Sequence, residues 1–268
     1  MTPAEMNPQS DTAVDTIAKA ALLRTLYRAP EIVRVVNVWD AASTKVVADL
    51  PQTKAIATAG HSIAAMYGYA DGGMPLELAL QGVATIVQAT SLPVTADLDD
   101  GYAEPGETIR RAIALGVVGA NVEDRLKPLD ESVARVAAIV AAAEAEGVPF
   151  QLNARTDALV RGTGPLEERV TEAIVRGRAF LAEGAALVFI PGLIDKESVE
   201  RVVAELGRNT ISVIGIPGAL AAHEYEHLGV ARISYGPLPQ RAALAALQAL
   251  AIDLYGSGTI PQDLPALN

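Results

Sequence analysis

Eight short apolar runs, each separated from the next by a longer stretch, constrain this chain more than any other feature of its sequence. They fall at 31–38 (EIVRVVNV), 54–59 (KAIATA), 93–98 (PVTADL), 118–122 (VGANV), 150–154 (FQLNA), 186–190 (ALVFI), 210–215 (TISVIG) and 230–234 (VARIS). None alternates cleanly with period two, which is the pattern of parallel strands buried on both faces. The intervening stretches read as helices. One is predicted at 74–90, where Pro75 suits a first turn. Another spans 129–146, with acids early and Gly147 after its end. Two more, 165–183 and 195–206, close at Gly184 and Gly207, and an Ala- and Leu-rich helix covers 239–254.

Strands alternating with helices and no break in composition predict a single (β/α)8 TIM-type barrel domain over residues 1–268. The length agrees with the roughly 250 residues such barrels need. An extra N-terminal helix is expected at 11–27, with flexible tails at 1–10 and at the Gly- and Pro-rich 257–268. A doubly wound open sheet is the competing architecture. It loses ground because residues 36–41 (VNVWDA), after the first strand, carry no glycine-rich dinucleotide fingerprint.

Composition removes several function classes. The net charge of −11 leaves no basic stripe for a phosphate backbone, so nucleic acid is not an expected partner. No apolar run reaches the roughly 18 residues of a membrane span. The polar, acidic N-terminal stretch does not resemble a secretory signal, so a cytoplasmic location is expected. With no cysteine there is no thiol nucleophile, thiol acid or Cys-ligated metal.

The polar residues gather where predicted strands stop, the face that carries the active site in a barrel. Asp97 and Asp99 alternate around Leu98, so both carboxylates can face one side as the strand runs out. Convergent carboxylates repel unless a cation neutralises them. Mg2+, which favours oxygen ligands and retains waters, is the natural ion, with Glu123 at the next strand end as a third carboxylate. The structural alternative is that these acids cap helices or face solvent. Arg155, after the fifth strand, suits bidentate capture of a carboxylate or phosphonate; its structural alternative is an ion pair with Asp157. The small-residue turn Thr58-Ala59-Gly60 could bring backbone N–H groups close to an anion. His223-Glu224-Tyr225-Glu226-His227 matches the zinc-protease pattern H-E-x-x-H, but it falls on a short helix between strands seven and eight, away from the mouth. It is read as a surface feature.

In their order, these motifs resemble the isocitrate lyase/phosphoenolpyruvate mutase superfamily. Thr58-Ala59-Gly60 leads to Gly68-Tyr69-Ala70-Asp71-Gly72, Asp97-Leu98-Asp99-Asp100-Gly101-Tyr102, Val122-Glu123-Asp124-Arg125 and Asn153-Ala154-Arg155-Thr156-Asp157. The resemblance runs from the Asn37-Val38-Trp39-Asp40-Ala41 segment to the last helix. It implies a barrel whose last helix is swapped between subunits of a dimer-of-dimers homotetramer. It also implies Mg2+, with Mn2+ as the alternative ion, held directly or through water by Asp97, Asp99 and Glu123. The substrate would be a small 2-oxo or 2-hydroxy carboxylate that reacts through an enolate. Arg155 would bind its anionic group, the Ala59-Gly60 backbone its carboxylate, and Asp71 would position water or substrate. Trp39 and Asn153 complete the candidate substrate-binding set.

Two departures stand out. Relatives that cleave C–C bonds carry a mobile Lys-Arg-Cys-Gly-His loop after the Glu-Asp pair, and phosphonopyruvate-forming mutases carry a comparable loop with Lys and Asn. Here Glu123-Asp124-Arg125-Leu126 passes straight through Lys127-Pro128 into the next helix. The strand end Phe189-Ile190-Pro191-Gly192 also lacks the polar side chain that many relatives place there. With no cysteine, the proton donor is sought in His61, Tyr69, Tyr102 or metal-bound water, with His61 or water preferred. Three readings follow: a Mg2+-dependent lyase-type enzyme making or breaking a C–C bond; a P–C phosphonomutase or hydrolase acting on a phosphonopyruvate-like substrate; and a non-catalytic barrel that binds a small acid.

Overall fold

The computed structural model describes residues 8–267, with backbone only for residues 8–13. Helix α1 (Pro8–Arg28) leads into β1 (Val33–Val35), β2 (Asn37–Val38) and α2 (Ala41–Ala48). Then follow β3 (Ile56–Thr58), α3 (Gly60–Met66), α4 (Leu76–Gln88), β4 (Val94–Asp97), α5 (Pro105–Ala114), β5 (Gly119–Glu123) and α6 (Leu129–Ala145). The second half comprises β6 (Gln151–Arg155), α7 (Ala158–Arg161), α8 (Leu166–Ala182), β7 (Leu187–Phe189) and α9 (Lys196–Leu206). It ends with β8 (Ile211–Ile214), α10 (Ala222–Leu228), β9 (Arg232–Ser234) and α11 (Leu238–Gly256). All pairings are parallel, in the order β1-β9-β8-β7-β6-β5-β4-β3-β2.

That order is a nearly closed (β/α)8 barrel, and it removes the open-sheet alternative. The first strand, expected to run unbroken over 31–38, is two pieces. β1 pairs with β9 and β2 with β3, so the chain changes neighbours at Val36. The buried side chain of Asn37 spans this seam. Its Nδ2 donates to Thr58 O (2.9 Å), and its Oδ1 accepts the N–H groups of Tyr235 (2.7 Å) and Gly236 (2.8 Å). One amide side chain thus ties the last strand's exit to β3, satisfying backbone groups that the split ladder leaves over.

The helices bury the faces their spacing dictates. In α4, Ala79, Leu80, Val83 and Ile86 recur at helical intervals and all are buried. Helix α1 presents Ala20, Leu23 and Tyr27 to the N-terminal ends of the strands, where a Cβ on Gly119 would lie 3.2 Å from Leu23. The sequence reading passed over α2, α3, α5 and α7. Of these, α2 carries a capping box, with Ser43 N–H donating to Asp40 Oδ1 (2.7 Å) and Asp40 N–H to Ser43 Oγ (3.1 Å). Helix α1 starts at Pro8, so 8–10 are helical rather than tail; the remaining expected tail at 1–7 and Asn268 lie outside the described residues. Residues 257–267 form neither helix nor strand. Among the described residues no helix is long and apolar enough to cross a membrane.

Candidate active site

A cavity of about 500 Å³ opens at the C-terminal ends of the strands, with His61, Asp71, Asp97, Asp99, Glu123 and Arg155 on its walls. A larger one, about 630 Å³, lies at the opposite end, but its only carboxylate is Glu144 and it holds no histidine. Chemistry therefore favours the mouth, where barrel loops converge.

Asp97 closes β4. Its N–H donates to Thr58 Oγ1 (2.9 Å), and its Oδ2 accepts Gly60 N–H (3.0 Å). A Cβ at position 60 would stand 3.1 Å from that oxygen, so glycine is what lets the carboxylate settle on the backbone. Burial and then the charge of Asp99 push the Asp97 carboxyl up to about 7, outweighing Arg155 and the Gly60 N–H. Asp99 is also raised, chiefly by burial, although Tyr102 Oη donates to its Oδ2 (3.1 Å). The backbone here is unusual. Asp99, Tyr102, Arg125 and Leu126 all have φ between 48° and 59°, a left-handed conformation that non-glycine residues seldom adopt.

Across the cavity the carboxylates already have cations. Glu123 lies 2.9 Å from Arg125 Nε, 2.9 Å from Arg155 Nη1 and 4.0 Å from Arg161 Nη2. Asp157, fully buried, accepts Arg155 Nε (2.7 Å) on one oxygen and Arg161 Nε (2.8 Å) on the other. Its own N–H donates to Asp124 Oδ1 (3.0 Å), and Asp124 Oδ2 takes Arg176 Nη1 (3.1 Å). The Arg155 guanidinium also stacks 5.8 Å above the Phe189 ring, which occupies the strand end lacking a polar side chain. The ion pair with Asp157, the structural alternative for Arg155, is therefore present, but the guanidinium still lines the cavity.

His61 Nδ1 and Asp71 Oδ2 are 3.6 Å apart on the cavity wall. Ala59 and Gly60 are adjacent, but both amides are engaged, Ala59 N–H with Val38 O (3.1 Å) and Gly60 N–H with Asp97. Trp39 packs half-buried against the apolar core and does not line the mouth. Asn153 is fully buried below it, donating to Asn121 Oδ1 (2.7 Å) and Ser212 Oγ (3.2 Å). Asn121, Arg161 and Arg241 line the mouth and were missed. The signals were present for two of them: Asn121 shares a strand face with Glu123, and Arg161 follows Asp157 by one helical turn.

Among the described residues no three Asp, Glu or His side chains converge into a ready-made cation cage. Glu123 is held by arginines. Asp97 and Asp99 make no ion pair among the described residues, and each is raised by burial and by a neighbouring acid. That donor set fits a hard divalent ion, because Mg2+ takes one or two carboxylates and completes its octahedron with water. The H-E-x-x-H segment is otherwise engaged. Glu224 accepts Ala221 N–H (2.7 Å), Glu226 accepts Ile32 N–H (2.9 Å), and His227 Nδ1 lies 2.7 Å from His223 O.

A parallel barrel with buried carboxylates facing an arginine array across its C-terminal mouth defines a class of enzymes for small anionic substrates. The sequence profile of the phosphoenolpyruvate phosphomutase family matches residues 23–255, and the chain belongs to that family. The crystal structure of a putative phosphonomutase from Burkholderia cenocepacia J2315 is 36% identical, with a TM-score of 0.84, covering 89% of this chain and 99% of that one. An oxaloacetate decarboxylase from Rhodopseudomonas palustris is 26% identical over 91% of this chain and 87% of its own. A probable 2-methylisocitrate lyase from Corynebacterium glutamicum is 26% identical over 92% and 84%. The relatives are thus lyases and mutases of one enzyme superfamily.

Proposed function

We propose that this chain is a Mg2+-dependent lyase-type enzyme that makes or breaks a C–C bond in a small 2-oxo or 2-hydroxy acid through an enolate. One observation carries the reading: two half-buried acids that make no ion pair among the described residues, Asp97 and Asp99, face arginine-bound Glu123 across one cavity. Asp97 and Asp99 would hold Mg2+, or Mn2+, with Glu123 reached through water. Bound there, the ion would supply Lewis-acid stabilisation of the negative charge that develops on the substrate oxygen.

The chain's own residues do the rest. Arg155, on the cavity wall, receives the substrate carboxylate, while Asp157 and Phe189 fix the guanidinium plane. Arg161 and Arg241 supply charge for a second anionic group. Gly60 N–H becomes available to a substrate oxygen when the Asp97 carboxylate turns away from it. His61, beside Asp71, moves the proton. Between β5 and α6 the chain passes only through residues 124–128, so this mouth has no room for a long closing loop there. The whole chain acts as one domain in the cytoplasm. Helix α11, which exposes Leu244, Leu247 and Ile252, docks on a neighbouring subunit in a dimer-of-dimers tetramer.

The B. cenocepacia relative favours a second reading, P–C chemistry on a phosphonopyruvate-like substrate. Both are tested by incubating the protein and Mg2+ with oxaloacetate, 2-alkylmalates, 2-methylisocitrate and phosphonopyruvate. Mg2+-dependent pyruvate release from a carbon acid supports the lyase. Conversion of phosphonopyruvate seen by phosphorus NMR supports the second reading, and silence across the panel favours an acid-binding barrel without turnover.

A further inference from the structure

The turn that carries Asp99 is held in a conformation its residues resist. Asp99 (φ 50°), Gly101 (φ 81°) and Tyr102 (φ 59°) all lie in the left-handed region, which only the glycine enters freely. A Cβ on Gly101 would stand 2.8 Å from Pro105 Cβ, so the turn is also pressed against the start of α5. Backbone of this kind persists only where its surroundings over-determine it.

Here the surroundings engage every carbonyl of the turn. Leu98 O accepts Gly101 N–H (2.9 Å), Asp99 O accepts Glu123 N–H (2.8 Å), and Gly101 O accepts the Thr108 hydroxyl (3.0 Å). The remaining two, Asp100 O and Tyr102 O, both accept from a single atom, Arg135 Nη2 on α6, at 2.6 and 2.7 Å. Arg135 reaches them across 35 and 33 positions of sequence. It makes no ion pair among the described residues, so its charge is directed at carbonyl oxygens and not at a carboxylate. Hydrogen bonds from a charged donor are roughly twice as strong as neutral ones, which makes this the strongest single tie on the turn.

Arg135 does not line the substrate cavity, whereas Asp99 does. Its influence must therefore pass through the turn. Asp99 and Tyr102, whose Oη donates to Asp99 Oδ2 (3.1 Å), flank the two carbonyls that Arg135 holds, so one guanidinium fixes both partners of that bond.

We propose that Arg135 is a positioning residue for the metal site, keeping Asp99 in the left-handed conformation that presents its carboxylate to the cavity. The inference rests on the reading of Asp97 and Asp99 as the acids that hold Mg2+. Without the guanidinium, Asp100 O and Tyr102 O pass to water, and Asp99 and Tyr102 are free to leave the left-handed region. The cation side of the mouth then loses one of its two carboxylates, while the arginine side is untouched.

Two measurements on Arg135→Met test this. In the metal-free protein, the Gly101 and Glu123 amides, which close the turn, should exchange hydrogen several-fold faster than in the wild type, with the amides of β6 and β7 unchanged. In calorimetric titrations with oxalate, the Mg2+ concentration that half-saturates the Mg2+ effect should rise about 10-fold or more, with oxalate affinity in the absence of Mg2+ unchanged. Arg135→Lys, which keeps a charged donor on a shorter stem, should fall between the two proteins, and it decides the matter should Arg135→Met fail to fold. A merely structural role would lower the melting temperature and leave the Mg2+ requirement where it was. Unchanged exchange at Gly101 and Glu123, or an unchanged Mg2+ requirement, would overturn the inference alone. A wild-type protein indifferent to Mg2+ would overturn the metal reading and this inference with it.

Discussion

On the β5–β6 side of the mouth, Glu123 is bound by Arg125 and Arg155, and Asp157 by Arg155 and Arg161. On the β3–β4 side, Asp97 and Asp99 have only a backbone N–H and a tyrosine hydroxyl. The first side is finished: its charges are paired and its guanidinium planes are fixed by a buried carboxylate and a ring. The second is unfinished: its acids make no ion pair among the described residues, and burial raises them more than the charges of Arg155 and Arg125 lower them. A cation on one side and an anion receptor on the other impose a direction on a small acid lying between them. Polarisation would occur beside Asp97 and anchoring beside Arg155.

Breaking the unfinished side should have the largest effect. Asp97→Ala is expected to lower Mg2+-dependent turnover by more than about 100-fold, measured as kcat/KM on whichever substrate the panel identifies. The comparison is sharper without metal. The folded-state value of about 7 lies above the ordinary 3.8, so Asp97 favours the fold while protonated. That contribution is complete below about 4 and is lost as pH rises through about 7. Asp97→Asn should therefore raise the melting temperature of the metal-free protein at pH 8 while removing its stabilisation by Mg2+.

The finished side should fail differently. Arg155→Lys retains charge but loses the planar fork and its bond to buried Asp157, and should reduce kcat/KM by about 10- to 100-fold with a smaller loss of stability than Asp157→Ala. Asp157→Ala strands two arginines beside a buried site, and should cost about 3 kcal/mol in chemical denaturation. His61→Asn is the mildest change to the fold. It should lower kcat by at least about 100-fold if His61 carries the proton, leave KM near its original value, and leave the melting curve unmoved.

The sequence made one side of the mouth legible and hid part of the other. Asp97 and Asp99 lie in one short motif at a strand end, so their nearness was legible, although Asp99 lies past β4 in a left-handed conformation that the pleat does not predict. The arginine array is partly local, with Arg155 and Arg161 two and four residues from Asp157, but Arg155 meets Glu123 from the next strand and Arg176 reaches Asp124 across 52 positions. No local pattern announces these last pairs. Asn153, expected in the substrate-binding set, shares a strand face with Arg155, but two residues of β-strand put it roughly 6–7 Å deeper in the barrel. Trp39 follows the end of β2 and packs half-buried against the core instead of lining the mouth. Arg232, fully buried on β9, was invisible within an apolar run, since burial of a charge is a property of the closed barrel. The barrel itself was legible because its eight buried strands needed only their number and spacing; the split of the first strand was not, because it depends on Asn37 bridging two neighbours that the sequence sets far apart.

The central claim is that Asp97 and Asp99 hold a divalent ion that shares one small acid with Arg155. Calorimetric titration of oxalate, an enolate mimic, into the protein with and without Mg2+ tests it directly. The expected result is binding at least about 10-fold tighter with Mg2+, with that dependence lost in Asp97→Ala. Equal affinity with and without Mg2+, or an Asp97→Ala protein that keeps the full Mg2+ effect, would contradict it.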